Sequence, residues 1–234
     1  CTDDGHFFNG TAAPSADGPF RTVYDTAVCL RLHQEEWDIS MYSTELKEKI
    51  KGDLQQSLTG HRYTHVLGVA AAARQLAVRY GKAEMAGLLH DAAKQKRLEE
   101  MQALALRAFG DSLDPVIMQT GSLLHGYAAV TVAKEQYGID DADVLAAIAH
   151  HTTGAPHMSQ LEKIIFVADY IEAGRDFDGV DHLRALAKED LDKTVLAGYD
   201  STITHLLEQD KTIFVGTVVN RNAQILSMGE ARHG

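Results

Sequence analysis

The sequence predicts an all-α fold, and three observations support this prediction. From Ser43 onward, apolar residues recur at three- and four-residue spacing, the period of an amphipathic helix. Glycines and short polar stretches interrupt this period at intervals that suit helices joined by short connections. Only two later runs resemble strands, residues 164–167, which also fit a helix, and residues 212–219. Apolar residues make up 45% of the chain and charged residues 24%, which excludes a wholly disordered or collagen-like protein.

The predicted helices follow one another closely along the chain. The first begins at Ser43 and is broken by Gly60, and the second has an apolar face that begins at Val66 and ends at Gly81. The remaining helices are predicted over residues 83–94, 97–109, 113–119, 123–137, 140–151, 159–173, 182–188, 190–209 and 215–226.

The first 42 residues differ from the rest and form a separate, loop-rich segment whose role the sequence does not indicate. Residues 2–20 are rich in Gly, Asp, Ser and Pro, which is typical of loop or disorder. Residues 20–32 alternate irregularly and fit a strand or hairpin. Because the chain begins with Cys1 rather than Met, we expect a processed protein or a fragment of a longer one. The domain proper is therefore predicted over residues 43–234.

Charge and cysteine content restrict the possible partners. The chain has 22 Lys and Arg against 33 Asp and Glu, a formal net charge of −11. Such a surface repels nucleic-acid backbones and anionic membranes, so neither is expected as a partner. No stretch approaches eighteen uninterrupted apolar residues, which argues against a transmembrane helix. Two cysteines are too few for a disulfide scaffold or a Cys-based zinc site, so we expect a reducing, cytoplasmic location.

Histidines and aspartates occupy positions where the helical pattern predicts core. The pair His90-Asp91 closes a stretch of small and apolar residues, and Asp169 follows an apolar run at residues 164–168. A buried aspartate is unfavourable unless it is paired or binds a cation. A single position of this kind can be explained as a buried histidine with a hydrogen-bond partner or as an aspartate at a helix end. Five such positions on five predicted helices favour a metal site inside a helical bundle. Imidazole and carboxylate without thiolate suit Fe, Mn, Co or Zn. The histidines concerned belong to a group of six within 91 residues: His61, His65, His90, His125, His150 and His151.

Several motifs resemble a known family. His65, His90-Asp91 and Asp169 match the H…HD…D signature of the HD superfamily of metal-dependent phosphohydrolases. Longer stretches resemble the YqeK family within that superfamily, and the resemblance extends over about residues 46–222. These stretches are HRYTHVLGVA from His61, LLHDAAK from Leu88, LHG from Leu124, HTTG from His151, EKIIFVADYIE from Glu162 and GRDF from Gly174.

The resemblance implies an HD-domain helical bundle that hydrolyses dinucleoside tetraphosphates symmetrically, converting diadenosine tetraphosphate to two ADP. It also implies two divalent metal ions per chain, with iron favoured and Mn, Co or Zn as alternatives. His65, His90, Asp91 and Asp169 would hold the first ion, and His125 and His151 the second, with Asp91 bridging. His150 replaces an aromatic residue of the family. It is expected to line the pocket or to be an alternative ligand to His151.

The implied chemistry follows from charge. The substrate is a polyanion and the protein is acidic, so positive charge must be supplied locally. Two divalent ions do this and lower the pKa of a bridging water, whose hydroxide would attack an inner phosphorus while a nucleoside diphosphate leaves. No glycine-rich phosphate-binding motif is present, so side chains must contact the nucleotide. The catalytic set is expected to comprise Asp91, Lys94, His61 and Arg62, and the substrate-binding set Arg62, Lys94, Thr152, Thr153, Arg175 and Phe177.

Two alternative hypotheses remain open at this point. The first is an HD phosphohydrolase of another nucleotide: a nucleoside monophosphate, a deoxynucleoside triphosphate or a stringent-response nucleotide. The second is a nucleotide-sensing module that keeps the pocket without turnover. A homodimer is possible in either case, but the sequence does not determine the oligomeric state.

Overall fold

The computed structural model describes residues 42–77 and 80–230. The N-terminal segment and its expected strand or hairpin at residues 20–32 therefore lie outside the described residues. Within the described ranges every regular element is helical, so the all-α prediction is confirmed. None of these helices is long and apolar enough to cross a membrane. The helices are α1 Thr44–Ser57, α2 Gly60–Leu76, α3 Tyr80–Leu89, α4 Leu98–Phe109, α5 Pro115–Gln119, α6 Gly121–Tyr137, α7 Ala142–His150, α8 Gln160–Ile171, α9 Val180–Leu186, α10 Leu191–Glu208 and α11 Val215–Glu230, with a 3-10 turn at Gly110–Ser112.

Side-chain caps define where several helices begin. Ser43 Oγ accepts the amide of Leu46 at 3.1 Å, so α1 begins where the sequence predicts. Ser159 and Glu162 form a reciprocal capping box at the start of α8, with Glu162 Oε2 accepting the amide of Ser159 at 2.7 Å. These contacts satisfy amide groups that no intrahelical carbonyl can reach.

The predicted ends of the second and third helices are wrong. Helix α2 ends at Leu76, before Gly81, because Ala77 already has an extended backbone. Helix α3 ends at Leu89 rather than continuing to Lys94. The Gly87 carbonyl, which would accept the Asp91 amide in a longer helix, accepts Nδ1–H of His90 instead at 2.7 Å.

The residues after α3 form a buried turn. The amide of Ala92 bonds the carbonyl of Leu89, and the amide of Lys94 bonds the carbonyl of Asp91, both three residues apart. Lys94 therefore lies in this turn and not on the helix that the sequence predicts over residues 83–94. The strand-like residues 164–167 lie inside α8, and residues 212–219 contain the start of α11.

The core is centred on α3, whose residues from Met85 onward are all buried. Ala83, Met85, Ala86, Leu88 and Leu89 are each at most 1% exposed. A helical segment without polar side chains, such as residues 85–89, has to be surrounded by other elements, and α3 packs against α2, α7 and α8. The turn that follows α3 consequently lies in the interior of the bundle.

The approach of α2 to α3 depends on a glycine. A Cβ on Gly87 would lie 2.7 Å from the Ala70 Cα, so only glycine allows the two backbones to come this close. A smaller apolar cluster joins α8, α9 and α10 around Phe166, Val195 and Tyr199. The two clusters share α8, which carries Asp169 toward the turn after α3.

Candidate metal centre

Six side chains from five separate segments converge at the centre of the bundle. Helix α2 contributes His65, α6 contributes His125, and α8 contributes Asp169. The turn after α3 contributes His90 and Asp91, and His151 is the first residue after α7. All are nearly inaccessible except Asp169, whose side chain is 20% exposed. The structure thus brings together every residue of the predicted ligand set.

The two carboxylate oxygens of Asp91 face different pairs of histidines. Oδ1 lies 3.0 Å from Nε2 of His125 and 3.7 Å from Nε2 of His151. Oδ2 lies 3.7 Å from Nε2 of His65 and 3.6 Å from Nε2 of His90. This arrangement is the one that a carboxylate bridging two neighbouring cations requires.

The potential ligand atoms form three overlapping groups among the described residues. One contains His65, His90 and Asp91, and another contains Asp91, His125 and His151. These two agree with the division expected from the sequence. The third joins Asp169 to His90 and His151, although Asp169 Oδ1 also lies 3.1 Å from Nε2 of His65. Asp169 is therefore within reach of both halves of the cluster, so the geometry does not assign it to the first ion alone.

Hydrogen bonds on the far side of three imidazoles fix their orientation. Nδ1–H of His90 donates to the Gly87 carbonyl, and Nδ1–H of His151 donates to the Ile148 carbonyl at 2.8 Å. Nδ1–H of His65 donates to Oε1 of Glu172 at 3.1 Å. Nε2 of each ring is thereby left as the acceptor that faces the cluster, and metal-ligating histidines are usually oriented in this way by a hydrogen bond from their other ring nitrogen.

Donor chemistry and protonation fit a divalent cation. Nε2 of His65 and Nε2 of His90 are buried and have no hydrogen-bond partner within the described part of the chain, a costly state unless another group satisfies them. Burial lowers the pKa of His90, and likewise that of His125, to about 4, so both rings are neutral and able to bind metal.

The carboxylates of the cluster are ionised. Burial opposes ionisation of Asp91, but the neighbouring imidazoles outweigh it and hold the pKa of this carboxyl well below its usual range. For Asp169, burial is likewise outweighed by the adjacent imidazole of His65 and the charge of Arg175, which lower its pKa. The cluster therefore combines the neutral imidazoles of His90 and His125 with negative carboxylates, a mixture that suits divalent transition metals.

Three cations border the cluster, each in contact with one of its members. Arg62 Nη1 donates to Asp91 Oδ2 at 2.8 Å. Arg175 pairs with the Asp169 carboxylate, and its Nε donates to the Asp169 carbonyl at 2.6 Å. Lys94 Nζ lies 3.2 Å from Nε2 of His125, and burial lowers the pKa of this ammonium group.

A cavity of about 800 Å³ opens beside His65 and Asp169. One wall comes from the start of α2 and carries His61 and Arg62, and a second comes from the α8–α9 turn and carries Arg175 and Phe177. A third part of the lining is formed by α10 through Ser201, Thr202, His205 and Leu206. The sequence did not indicate this α10 wall, since these residues follow no motif.

The two threonines of the HTTG motif face different surroundings: Thr152 faces the cluster and Thr153 faces the core. Thr152 Oγ1 lies 3.0 Å from Nε2 of His151, at the edge of the cluster. Thr153 is 2% exposed, and its hydroxyl contacts Tyr127 and the Gly154 carbonyl. Thr153 therefore faces the core, contrary to the expectation of a substrate contact.

His150 turns away from the cluster. Its Nδ1–H donates to Oε1 of Glu162 at 2.6 Å, and its ring packs against that of Tyr127. His150 thus links the end of α7 to the start of α8 and does not line the cavity, so neither of the two roles expected for it agrees with the geometry.

Comparison with known proteins identifies the class. An HD domain matches residues 62–174, the segment that contains the whole cluster. The symmetrical bis(5'-nucleosyl)-tetraphosphatase of Halalkalibacterium halodurans is 42% identical over 72% of this chain and 91% of the relative. The enzyme of the same name from Bacillus subtilis is 36% identical over 75% of this chain and 96% of the relative.

A solved structure agrees with these relatives. An HD superfamily hydrolase from Clostridium acetobutylicum, described as involved in NAD metabolism, shares 42% identity and superimposes with a TM-score of 0.74 over 80% of this chain and 100% of that chain. The chain therefore belongs to the HD-domain hydrolases, in the family of the symmetrical bis(5'-nucleosyl)-tetraphosphatases. Its His and Asp clusters are those of a protein that binds divalent metal.

Proposed function

We propose that this protein is a metal-dependent hydrolase that cleaves dinucleoside tetraphosphates symmetrically, yielding two ADP from diadenosine tetraphosphate and water. The observation that carries the proposal is the placement of Asp91 between two pairs of histidines, beside a cavity lined by Arg62 and Arg175. Relatives that are 36–42% identical carry the name of this activity, which supports the substrate class.

The proposed metal complement is two ions, with iron favoured. His65, His90 and Asp169 would hold one ion and His125 and His151 the other, with one oxygen of Asp91 directed at each. Bound divalent ions supply a Lewis acid to phosphate oxygens and lower the pKa of water, so that hydroxide becomes available at neutral pH. The remaining contributions come from side chains of this chain.

The chain supplies three cations to a polyanionic substrate despite its own net charge of −11. Arg62, Lys94 and Arg175 surround the cluster on different sides, and the two arginines also line the cavity. Guanidinium groups can bind phosphate through two parallel hydrogen bonds. In the proposed complex they exchange part of their contact with Asp91 and Asp169 for phosphate oxygens, while Thr152 and His61 donate further hydrogen bonds.

The nucleoside parts of the substrate are assigned to the cavity. Its volume of about 800 Å³ lies within the usual range of small-molecule sites. Phe177 offers a half-buried aromatic face for a base, and α10 provides hydroxyl and imidazole groups to the same cavity. Symmetrical cleavage requires that both central phosphates reach the cluster while at least one nucleoside stays in this cavity.

Product analysis under anaerobic conditions tests the proposal. Protein loaded with Fe²⁺ is incubated with diadenosine tetraphosphate, and the products are separated by ion-exchange chromatography. ADP as the only nucleotide product is expected. AMP with ATP would show asymmetric cleavage and contradict the proposal.

A small substrate panel separates the other hypotheses. Preferred turnover of a nucleoside monophosphate, a deoxynucleoside triphosphate or a stringent-response nucleotide would indicate another HD phosphohydrolase. Binding of nucleotide without turnover of any substrate would indicate a sensing module. A cytoplasmic location and a homodimer remain predictions, which fractionation and analytical ultracentrifugation can test.

A further inference from the structure

A buried carboxylate outside the predicted ligand set lies directly behind His65. Glu172 immediately follows α8 and is 4% exposed. Its Oε1 accepts Nδ1–H of His65 at 3.1 Å, and its Oε2 accepts the amide of Gly174 at 2.7 Å. Both oxygens of this carboxylate are thus engaged, one of them by a residue of the metal cluster.

The space for this carboxylate exists because residue 68 is glycine. Gly68 lies one turn after His65 on α2, and a Cβ there would be 2.4 Å from Oε2 and 3.2 Å from Cδ of Glu172. A glycine inside a helix is destabilising relative to alanine. Its presence in the middle of α2 is explained by the close approach of Glu172.

Arg184 holds the turn that carries Glu172. From α9, its Nε donates to the Ile171 carbonyl at 3.1 Å, and its Nη2 donates to the carbonyls of Glu172 and Arg175 at 2.9 and 2.8 Å. Its remaining contact is an ion pair with the exposed Asp181. One planar guanidinium therefore fixes three carbonyls of the turn, a geometry that a lysine cannot reproduce.

We propose that Glu172 is a positioning residue that sets the tautomer and orientation of His65 for metal binding, and that Gly68 and Arg184 keep its carboxylate in place. Glu172 also borders the cavity, where its Oε1 lies 4.0 Å from Nε of Arg175, but the role proposed for it is exerted through His65. The proposal rests on the metal-binding role of His65 in the proposed function. Carboxylates that orient ligating histidines in this way typically contribute roughly 10- to 100-fold to metal affinity.

Titration of metal-free protein with Mn²⁺ tests the proposal without relying on catalysis. Glu172→Ala, Gly68→Ala and Arg184→Lys are compared with wild type by competition with a chromophoric chelator. Each is expected to raise the Mn²⁺ dissociation constant, by roughly 10- to 100-fold for Glu172→Ala. Gly68→Ala is informative because it displaces the carboxylate without changing any titratable group.

Two matched variants serve as controls. Gly52→Ala replaces a helical glycine on α1 whose added Cβ would meet nothing within 4 Å. Asp181→Asn removes only the exposed ion pair of Arg184. Both are expected to keep wild-type Mn²⁺ affinity. In the Glu172 variant, kcat should be recovered at saturating Mn²⁺, because the proposed role of the residue is in metal binding.

Unchanged Mn²⁺ affinity in Glu172→Ala would overturn the proposal, even if that variant melts at a lower temperature. Unchanged affinity in both Gly68→Ala and Arg184→Lys would overturn the part assigned to those residues. If Glu172→Ala does not fold, Glu172→Gln replaces it, since its single amide oxygen can accept only one of the two hydrogen bonds and should still weaken Mn²⁺ binding. His65→Ala separates a failure of the role proposed for Glu172 from a failure of the proposed metal site. Normal Mn²⁺ affinity in His65→Ala would contradict the metal site itself.

Discussion

Oδ1 of Asp91 lies 3.0 Å from Nε2 of His125, although the two residues belong to segments separated by α4 and α5. This proximity depends on the early end of α3, which places Asp91 in a buried turn facing α6. Because the other oxygen of Asp91 faces His65 and His90, one carboxylate contacts both halves of the cluster.

Replacement of Asp91 by alanine is expected to remove both metals and to lower hydrolysis by at least about 10²-fold, the scale of losing one electrostatic stabiliser. The reason is that no other side chain in the cluster places one oxygen toward each pair of histidines. Elemental analysis and anaerobic assays measure the two effects. Asp140→Ala, at an exposed position, is the control and should match wild type. Two metals per chain in Asp91→Ala would contradict the bridging role.

The adjacent residues His150 and His151 are expected to respond in opposite ways. His151→Ala should reduce metal content and hydrolysis severely, because its Nε2 lies in the cluster. His150→Phe should keep its metals but lower the free energy of unfolding by about 1–3 kcal/mol, since the buried carboxylate of Glu162 loses a hydrogen bond. Urea denaturation and elemental analysis of both variants test this pair. Loss of metal from His150→Phe would show that His150 is a ligand after all.

Arg175→Met is expected to lower kcat/KM while the protein stays folded. The decrease should correspond to a loss of about 1–4 kcal/mol of transition-state stabilisation. Arg175 lines the cavity and pairs with Asp169, so its removal takes away positive charge where phosphate is proposed to bind. Steady-state kinetics with diadenosine tetraphosphate at saturating metal measure the effect. Arg107→Met, which removes a surface pair with Glu135, should have wild-type kinetics. An equal change in both variants would argue against a phosphate contact.

Filling the cavity from its α10 wall is expected to impair substrate binding selectively. Ser201→Trp should raise KM by about 10-fold or more, because a loss of about 1.4 kcal/mol in binding free energy already corresponds to a factor of ten. The metal content should not change. Thr204→Trp places the same bulk on an exposed position of α10 that does not line the cavity. Similar KM values for the two tryptophan variants would exclude the cavity as the nucleoside site.

The local sequence pattern was sufficient to predict the all-α fold class and the positions of most helices. The start of α1 at Ser43 and the capping box of α8 follow from residue type and spacing alone, because caps and amphipathic periods are local properties. The six cluster residues could be named in advance for a related reason. A histidine or carboxylate within an apolar stretch needs a partner, and this need is visible in the sequence before the partner is known.

Which residue each buried histidine or carboxylate contacts was decided by the tertiary structure. The sequence by itself determined an all-α domain with a buried set of imidazoles and carboxylates. The period of the apolar residues and the chemistry of each side chain are local properties that can be read directly from the sequence. The sequence did not determine the end of α3 at Leu89, the turning of Thr153 and His150 toward the core, the α10 wall or the contact between Glu172 and His65. Residues 65 and 172 are 107 positions apart, and only the packing of α2 against α8 brings them within hydrogen-bond distance.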